Sequence, residues 1–146
     1  MEESNVIIKL QTLQRRPEGD ELLREEAVGT LCREGEGWLL RYREGENSGL
    51  GKTLTTLRLE GGRVTLCREG EVNARMVFQA GEAHSCRYAT PYGELPMTVR
   101  TLRLEWEMNG MGGKAFLIYK IQVGGADVGE NRLRLTVKTK ENSYDR

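Results

Sequence analysis

The sequence predicts an all-β fold, a single antiparallel β-barrel of about eight to ten strands. Three observations carry that prediction. Apolar residues recur at every second position in one segment after another, turn residues divide those segments at short intervals, and no helical stretch separates them. Successive side chains of a strand point to opposite faces, so a period of two marks a sheet with one dry side and one wet side. Strands at this spacing argue for a barrel or sandwich rather than for βαβ units.

Length and composition agree with one domain over residues 1–146, with 1–4 and 141–146 as disordered tails. A chain of 146 residues buries roughly 70% of the surface its unfolded form exposes and needs no covalent staple. Its 18 glycines against 3 prolines suit many tight turns, because a positive φ is cheapest without a Cβ. The charge is balanced, 22 Lys and Arg against 22 Asp and Glu, so nothing steers the whole molecule to nucleic acid or to an anionic membrane. Cys32, Cys67 and Cys86 are odd in number and lack a CxxC spacing, which argues against a disulfide framework. The start, Met1-Glu2-Glu3-Ser4-Asn5, is acidic where a secretion signal is basic, and no apolar run approaches a membrane span. These features predict a cytoplasmic protein with free thiols.

Val6 to Leu13 opens the series of strands. Asp20 to Leu31 admits two readings, since Leu23, Ala27 and Leu31 share both a helical face that Asp20 can cap and a strand face. Gly29 would interrupt the helix, and strand is favoured. Trp38 to Glu44, Lys52 to Glu60, Arg63 to Glu69, Asn73 to Ala80 and His84 to Ala89 follow. Within Glu94 to Trp106 the apolar parity changes: Leu95, Met97 and Val99 are odd, Leu102, Leu104 and Trp106 even. A straight strand cannot bury both sets, so a bulge or bend between Val99 and Leu102 is predicted. Ala115 to Val123 is apolar on both sides in its first half, which implies cover on its outer face. The last strand is the clearest, with Leu133, Leu135, Val137 and Thr139 against Arg132, Arg134, Lys138 and Lys140.

Turn chemistry fills the gaps. Gly61-Gly62 is a two-residue hairpin signal, and Gly124-Gly125-Ala126-Asp127 reads as a slightly longer one. Thr90-Pro91-Tyr92-Gly93 has proline where a type I turn presets φ, and Asn109-Gly110-Met111-Gly112-Gly113 reads as a loose loop. The echoes TLCREGE (Thr30 and Thr65) and TLRLE (Thr56 and Thr101) are offset by unequal intervals and define no repeat.

Certain motifs stand in a set order: Trp38-Leu39-Leu40-Arg41-Tyr42-Arg43-Glu44, Met76-x-Phe78-x-x-Gly81, Tyr88-x-Thr90-Pro91-Tyr92-Gly93, then a hairpin at Gly124-Gly125 leading to Leu133-x-Leu135-x-Val137. This order resembles the YwiB-like family of small bacterial proteins, a domain family of unknown function with a lipocalin-like (calycin) β-barrel. The resemblance runs from Val6 to Thr139, and Tyr-x-Thr-Pro-Tyr-Gly is its most specific element. It implies a calycin-like fold and a cytoplasmic bacterial setting, and it brings no catalytic or ligand residues with it. Calycin relatives often hold small hydrophobic ligands, which is an analogy of fold alone. The Gly110-Met111-Gly112-Gly113 loop and the CREGE echoes depart from the family pattern.

Each candidate for chemistry competes with a plainer reading. Gly49-Leu50-Gly51-Lys52-Thr53 ends like a phosphate-binding loop, but position 46 is glutamate where that loop needs glycine, and a strand follows where a helix should. His84 and Cys86 share a strand face yet diverge as i and i+2 neighbours, while Cys32 and Cys67 point outward. Neither a metal site nor a nucleophilic dyad is expected, nor any cofactor. The carboxylates Glu25, Glu26, Glu34, Glu36, Glu44, Glu46, Glu69 and Glu71 read as solvated charges at strand ends. The Arg132, Arg134, Lys138, Lys140 face could follow a phosphate backbone, but no aromatic residue interleaves it along its strand.

The inward parity holds Trp38, Tyr42, Phe78, Tyr88 and Tyr119, with Thr55 and His84 among the polar exceptions. A mostly apolar lining with a few polar groups describes a ligand pocket and a filled core equally well. The leading expectation is non-enzymatic binding of a small, partly apolar molecule at those seven residues, with no membrane role. The alternative is an interaction or self-association module, as a homodimer for example, with a solid core. Its outer face would meet a protein, or nucleic acid through Arg132, Arg134, Lys138 and Lys140.

Overall fold

A computed structural model describes residues 3–44 and 50–140. Among these, ten strands run in chain order: β1 Glu3–Arg16, β2 Gly19–Glu34, β3 Gly37–Arg43, β4 Thr53–Glu60, β5 Arg63–Gly70, β6 Ala74–Gln79, β7 Ala83–Thr90, β8 Gly93–Asn109, β9 Gly112–Val123 and β10 Ala126–Thr139. The segment Asp20 to Leu31 is strand throughout, because each of its residues pairs with β1 and its apolar side chains have a sheet to pack against. Glu3 and Ser4, expected in a tail, pair with Cys32 and Leu31.

All pairings are antiparallel, in the order β6-β5-β4-β3-β2-β1-β10-β9-β8-β7. Neighbours in the sheet are neighbours in the chain except at β1 and β10, the first and last strands, which pair from Val6↔Thr139 to Arg15↔Glu130. Tight turns make this possible. Gly124-Gly125 and Gly110-Met111 are both two-residue connections, since Val123 pairs with Ala126 and Asn109 with Gly112. The latter corrects the loose loop read from the glycines there.

The barrel is nearly closed. Its seam lies between β6 and β7, which are pinned rather than laddered. At one end Asn73 and Ala89 exchange two backbone hydrogen bonds of 2.9 Å. At the other, β8 holds the turn beyond β6: Thr101 N–H donates to Glu82 O (3.0 Å), and Thr101 O accepts from Gly81 N–H (2.9 Å). The fully buried Thr101 hydroxyl also accepts from Gln79 N–H at 3.3 Å.

The parity change in β8 has the predicted cause. Thr101 pairs with Tyr119 and Arg103 with Ile118, so Leu102 is an extra residue, bulged out and 47% exposed. After it, Leu104 and Trp106 lean on the core and Trp106 Nε1 donates to Gly61 O (2.8 Å). A second departure from regular strand is at Gly29, where β2 crowds β3. A Cβ there would sit 2.0 Å from the Arg41 carbonyl oxygen, so only glycine allows the approach.

Candidate functional site

Parity decides which side chains face the barrel axis; position along the strand decides how deep they lie. On β1, Val6 and Ile8 are fully buried, whereas Leu10, Thr12 and Gln14 line a cavity of about 390 Å³. On β2 the core residue is Leu31 and the cavity residues are Leu23 and Glu25; on β10 they are Val137 and Leu135 against Leu133 and Asn131. The barrel is therefore solid at one end and hollow at the end nearer the β1–β2 turn. Leu57, Leu66, Met76, Phe78 and Met97 form apolar wall, and Leu23 (37% exposed) and Leu95 (49% exposed) leave an apolar rim open to water.

Among the described residues, three charged side chains enter this space. β3 points Leu40 and Tyr42 inward, and Glu44 at its end continues the same parity; on β5, Leu66 and Arg68 stand in the same relation. Arg68 Nε lies 3.7 Å from Glu44 Oε2, and the side chains are only 18% and 4% exposed. The Thr55 hydroxyl, fully buried behind them, donates to Glu44 Oε2. Arg68 Nε is buried with no hydrogen-bond partner among the described residues. Glu25, from β2, is the third group.

The environment shifts the protonation of Glu25 and of two phenols on the wall. Burial pushes the Glu25 carboxyl above the ordinary range, the Glu44 charge pushes it further, and Arg68 opposes both. Burial likewise raises Tyr42 far above a normal phenol, with Glu44 adding to the effect. Tyr119 is raised by burial, against the influence of Arg68 and of a hydrogen bond with Asn131. Both phenols are therefore neutral at physiological pH and can exchange hydrogen bonds with a guest. Tyr42, 4% exposed, lines the cavity. With all three charged groups ionised, two carboxylates face one guanidinium, a net charge of one negative unit among the described residues that line the cavity.

Of the seven residues that parity selected, Tyr42, Phe78, Tyr88 and Tyr119 line the cavity, and Phe78 meets Tyr119 edge to face at 4.9 Å. The other three face inward but at other depths. Trp38, paired with Leu59, packs at the solid end beneath the Arg33 guanidinium at 5.2 Å. Thr55 stands behind Glu44. His84 sits beside Val99, itself fully buried, and its Nε2 is buried without a hydrogen bond among the described residues. Glu25 and Glu44 correct the reading of all the strand-end glutamates as solvated turn charges. Parity carried two residues past Tyr42 and Leu66 would have found Glu44 and Arg68.

The remaining motifs fall outside this site. Residues 45–49, with Gly49 of the phosphate-loop-like segment, lie outside the described residues. Further along that segment, Lys52 N–H donates to the Glu71 carboxylate at 2.6 Å, so an acid occupies the donor that a phosphate would need. Cys86 packs against the core, and burial pushes its thiol up, away from the reactive thiolate. On the outer face, an aromatic does join the basic stripe, from the neighbouring strand. Phe116 pairs with Arg134 across β9–β10, and its ring lies 4.6 Å from the Arg134 guanidinium and 5.1 Å from that of Arg103. Arg132 is engaged by Glu130 at 3.0 Å.

Fold and site together define a class, a ten-stranded up-and-down antiparallel barrel, calycin-like, with a partly hollow interior. The family model described as domain of unknown function DUF1934 matches residues 8–135, and the chain belongs to that family. The structure is similar to the crystal structure of the YwiB protein from Bacillus subtilis, with a TM-score of 0.85 over 94% of this chain and 92% of that one. The two are 20% identical, so the likeness is one of fold. No curated protein matches this chain. No helix among the described residues is long and apolar enough to cross a membrane.

Proposed function

We propose that the protein reversibly binds a small, partly apolar molecule in the hollow end of the barrel, without enzymatic turnover, in a bacterial cytoplasm. The observation that carries this reading is the cavity, large enough for a compact ligand and mostly apolar, with Tyr42 on its wall. The exposed leucines at the rim supply an apolar entrance. Three free thiols suit a reducing compartment.

Titration with a neutral, environment-sensitive dye such as Nile red tests the reading, with Leu133→Trp as the blocked control. Leu133 is partly buried on the cavity wall, so indole fills space there with less strain than at the tightly packed Phe78. Saturable binding that the block abolishes supports the reading, and equal binding in the two proteins removes the cavity as the site.

A second reading rests on the outer face, where Phe116 under Arg103 and Arg134 provides a ring and two cations for single-stranded nucleic acid. Anisotropy of a labelled oligothymidine should then show salt-dependent binding that Arg134→Glu removes, and no binding at low salt would dismiss it.

A further inference from the structure

We propose that the ligand of the barrel cavity is an amphiphilic organic cation, a protonated amine on a small apolar body, held between Glu25 and Glu44. The inference rests on the cavity being a ligand site and adds the chemical class. Its basis is a charge count in a confined space. Among the described residues two carboxylates and one guanidinium face the cavity, and Arg68 Nε forms its ion pair with Glu44, at 3.7 Å. Glu25 faces the like charge of Glu44 and shares Arg68 with it. An anionic guest would add a second uncompensated negative charge, whereas an ammonium group replaces repulsion with attraction and charge-assisted hydrogen bonds.

The uncharged parts of the wall point the same way. Tyr42, Tyr88 and Tyr119 line the cavity, and phenols can meet an ammonium group through a hydroxyl oxygen or a ring. Across the cavity Phe78 and Leu133 suit a hydrocarbon body. The titratable and charged groups facing Glu25 are Glu44 and Tyr42 from β3, Arg68 from β5 and Tyr119 from β9; β1 and β10 present Leu10, Thr12, Gln14, Asn131 and Leu133, which do not titrate. Binding of a cation therefore favours ionised Glu25, and affinity should rise with pH until Glu25 is fully ionised.

Calorimetric titration of the full chain with three probes of one chain length tests this: n-octylammonium, 1-octanol and octanoate. The expected order is ammonium tightest, about tenfold over the alcohol, and octanoate weakest. In Glu25→Gln the ammonium should lose most of that advantage while the alcohol is unchanged. In the parent, ammonium affinity should fall as pH is lowered through the raised titration of Glu25 while that of the alcohol stays constant, a readout independent of any variant. Saturable binding of octanol with no preference for the ammonium, or a preference for octanoate, overturns the cation assignment and leaves the cavity as a binding site. Absence of saturable binding by all three overturns the binding reading itself.

Discussion

Arg68 is the cation on which the interior electrostatics turn, and replacing it by leucine gives a worked expectation. Its Nε lies 3.7 Å from Glu44 Oε2, and both side chains are well under a third exposed, so solvent screens them little. At an effective dielectric of about 20 the attraction at that distance is about 4.5 kcal/mol. Some is recovered when Arg68 is absent, because the Thr55 hydroxyl still donates to Glu44. The expected loss for Arg68→Leu is therefore about 3 kcal/mol, the range for a buried pair broken on one side. It should appear in urea unfolding as a midpoint lowered by about 1–2 M at unchanged slope. The double variant Arg68→Leu/Glu44→Gln removes both charges and keeps the acceptor for Thr55, so it should cost only about 1 kcal/mol. A double variant as unstable as the single one, or a single variant that loses nothing, would refute the argument that the pair is held in a low-dielectric interior.

Glu25→Gln should raise the melting temperature at pH 7–8 by a degree or two, on the order of a few tenths of a kcal/mol given its partial exposure. Glu25 is raised in the folded state, so the folded chain holds its proton longer and the penalty of ionisation grows as pH rises through that value. The difference from the parent should vanish below about pH 4, where the carboxyl is protonated folded or unfolded; a difference that grows in acid would contradict the sign. Gly29→Ala should cost about 2–4 kcal/mol, because its Cβ would meet a backbone oxygen rather than a side chain that can rotate away. Gly62→Ala, with nothing within 4 Å of the new atom, is the neutral control by thermal melting. Thr101→Val should cost about 1 kcal/mol and speed amide hydrogen exchange at Gln79 more than at the Leu40–Leu57 pair. Uniform exchange changes would show that Thr101 does not guard the seam.

The fold was legible because alternation is a local property. Leu133, Leu135 and Val137 against Arg132, Arg134 and Lys138 declare a half-buried strand, and the parity switch around Arg100 announces the Leu102 bulge. The cavity was legible only in part. Alternation reports a face but not a depth, so Trp38, Tyr42 and His84 were indistinguishable as inward residues although only Tyr42 reaches the hollow end. Glu25, Glu44 and Arg68 were hidden by composition, since charges near strand ends are usually solvated and these have equally charged neighbours. What brings them together is pairing between strands far apart in the chain. The same holds for Phe116, which meets Arg134 only because β9 lies beside β10.

The pairing of β1 with β10 also governs how such a chain can fold. Either side of it, the sheet is a run of sequence-adjacent hairpins, β1 to β6 and β7 to β10, each able to form by local encounters. The Val6↔Thr139 ladder then joins residues more than a hundred positions apart, and its loop entropy must be lost before any of its ten residue pairs is rewarded. The two runs of hairpins meet along two lines of unequal strength, that continuous ladder and the seam pinned at its ends by Asn73 and Thr101. The rate of closure is thus set on one side of the barrel, while the first opening of the finished molecule falls on the other.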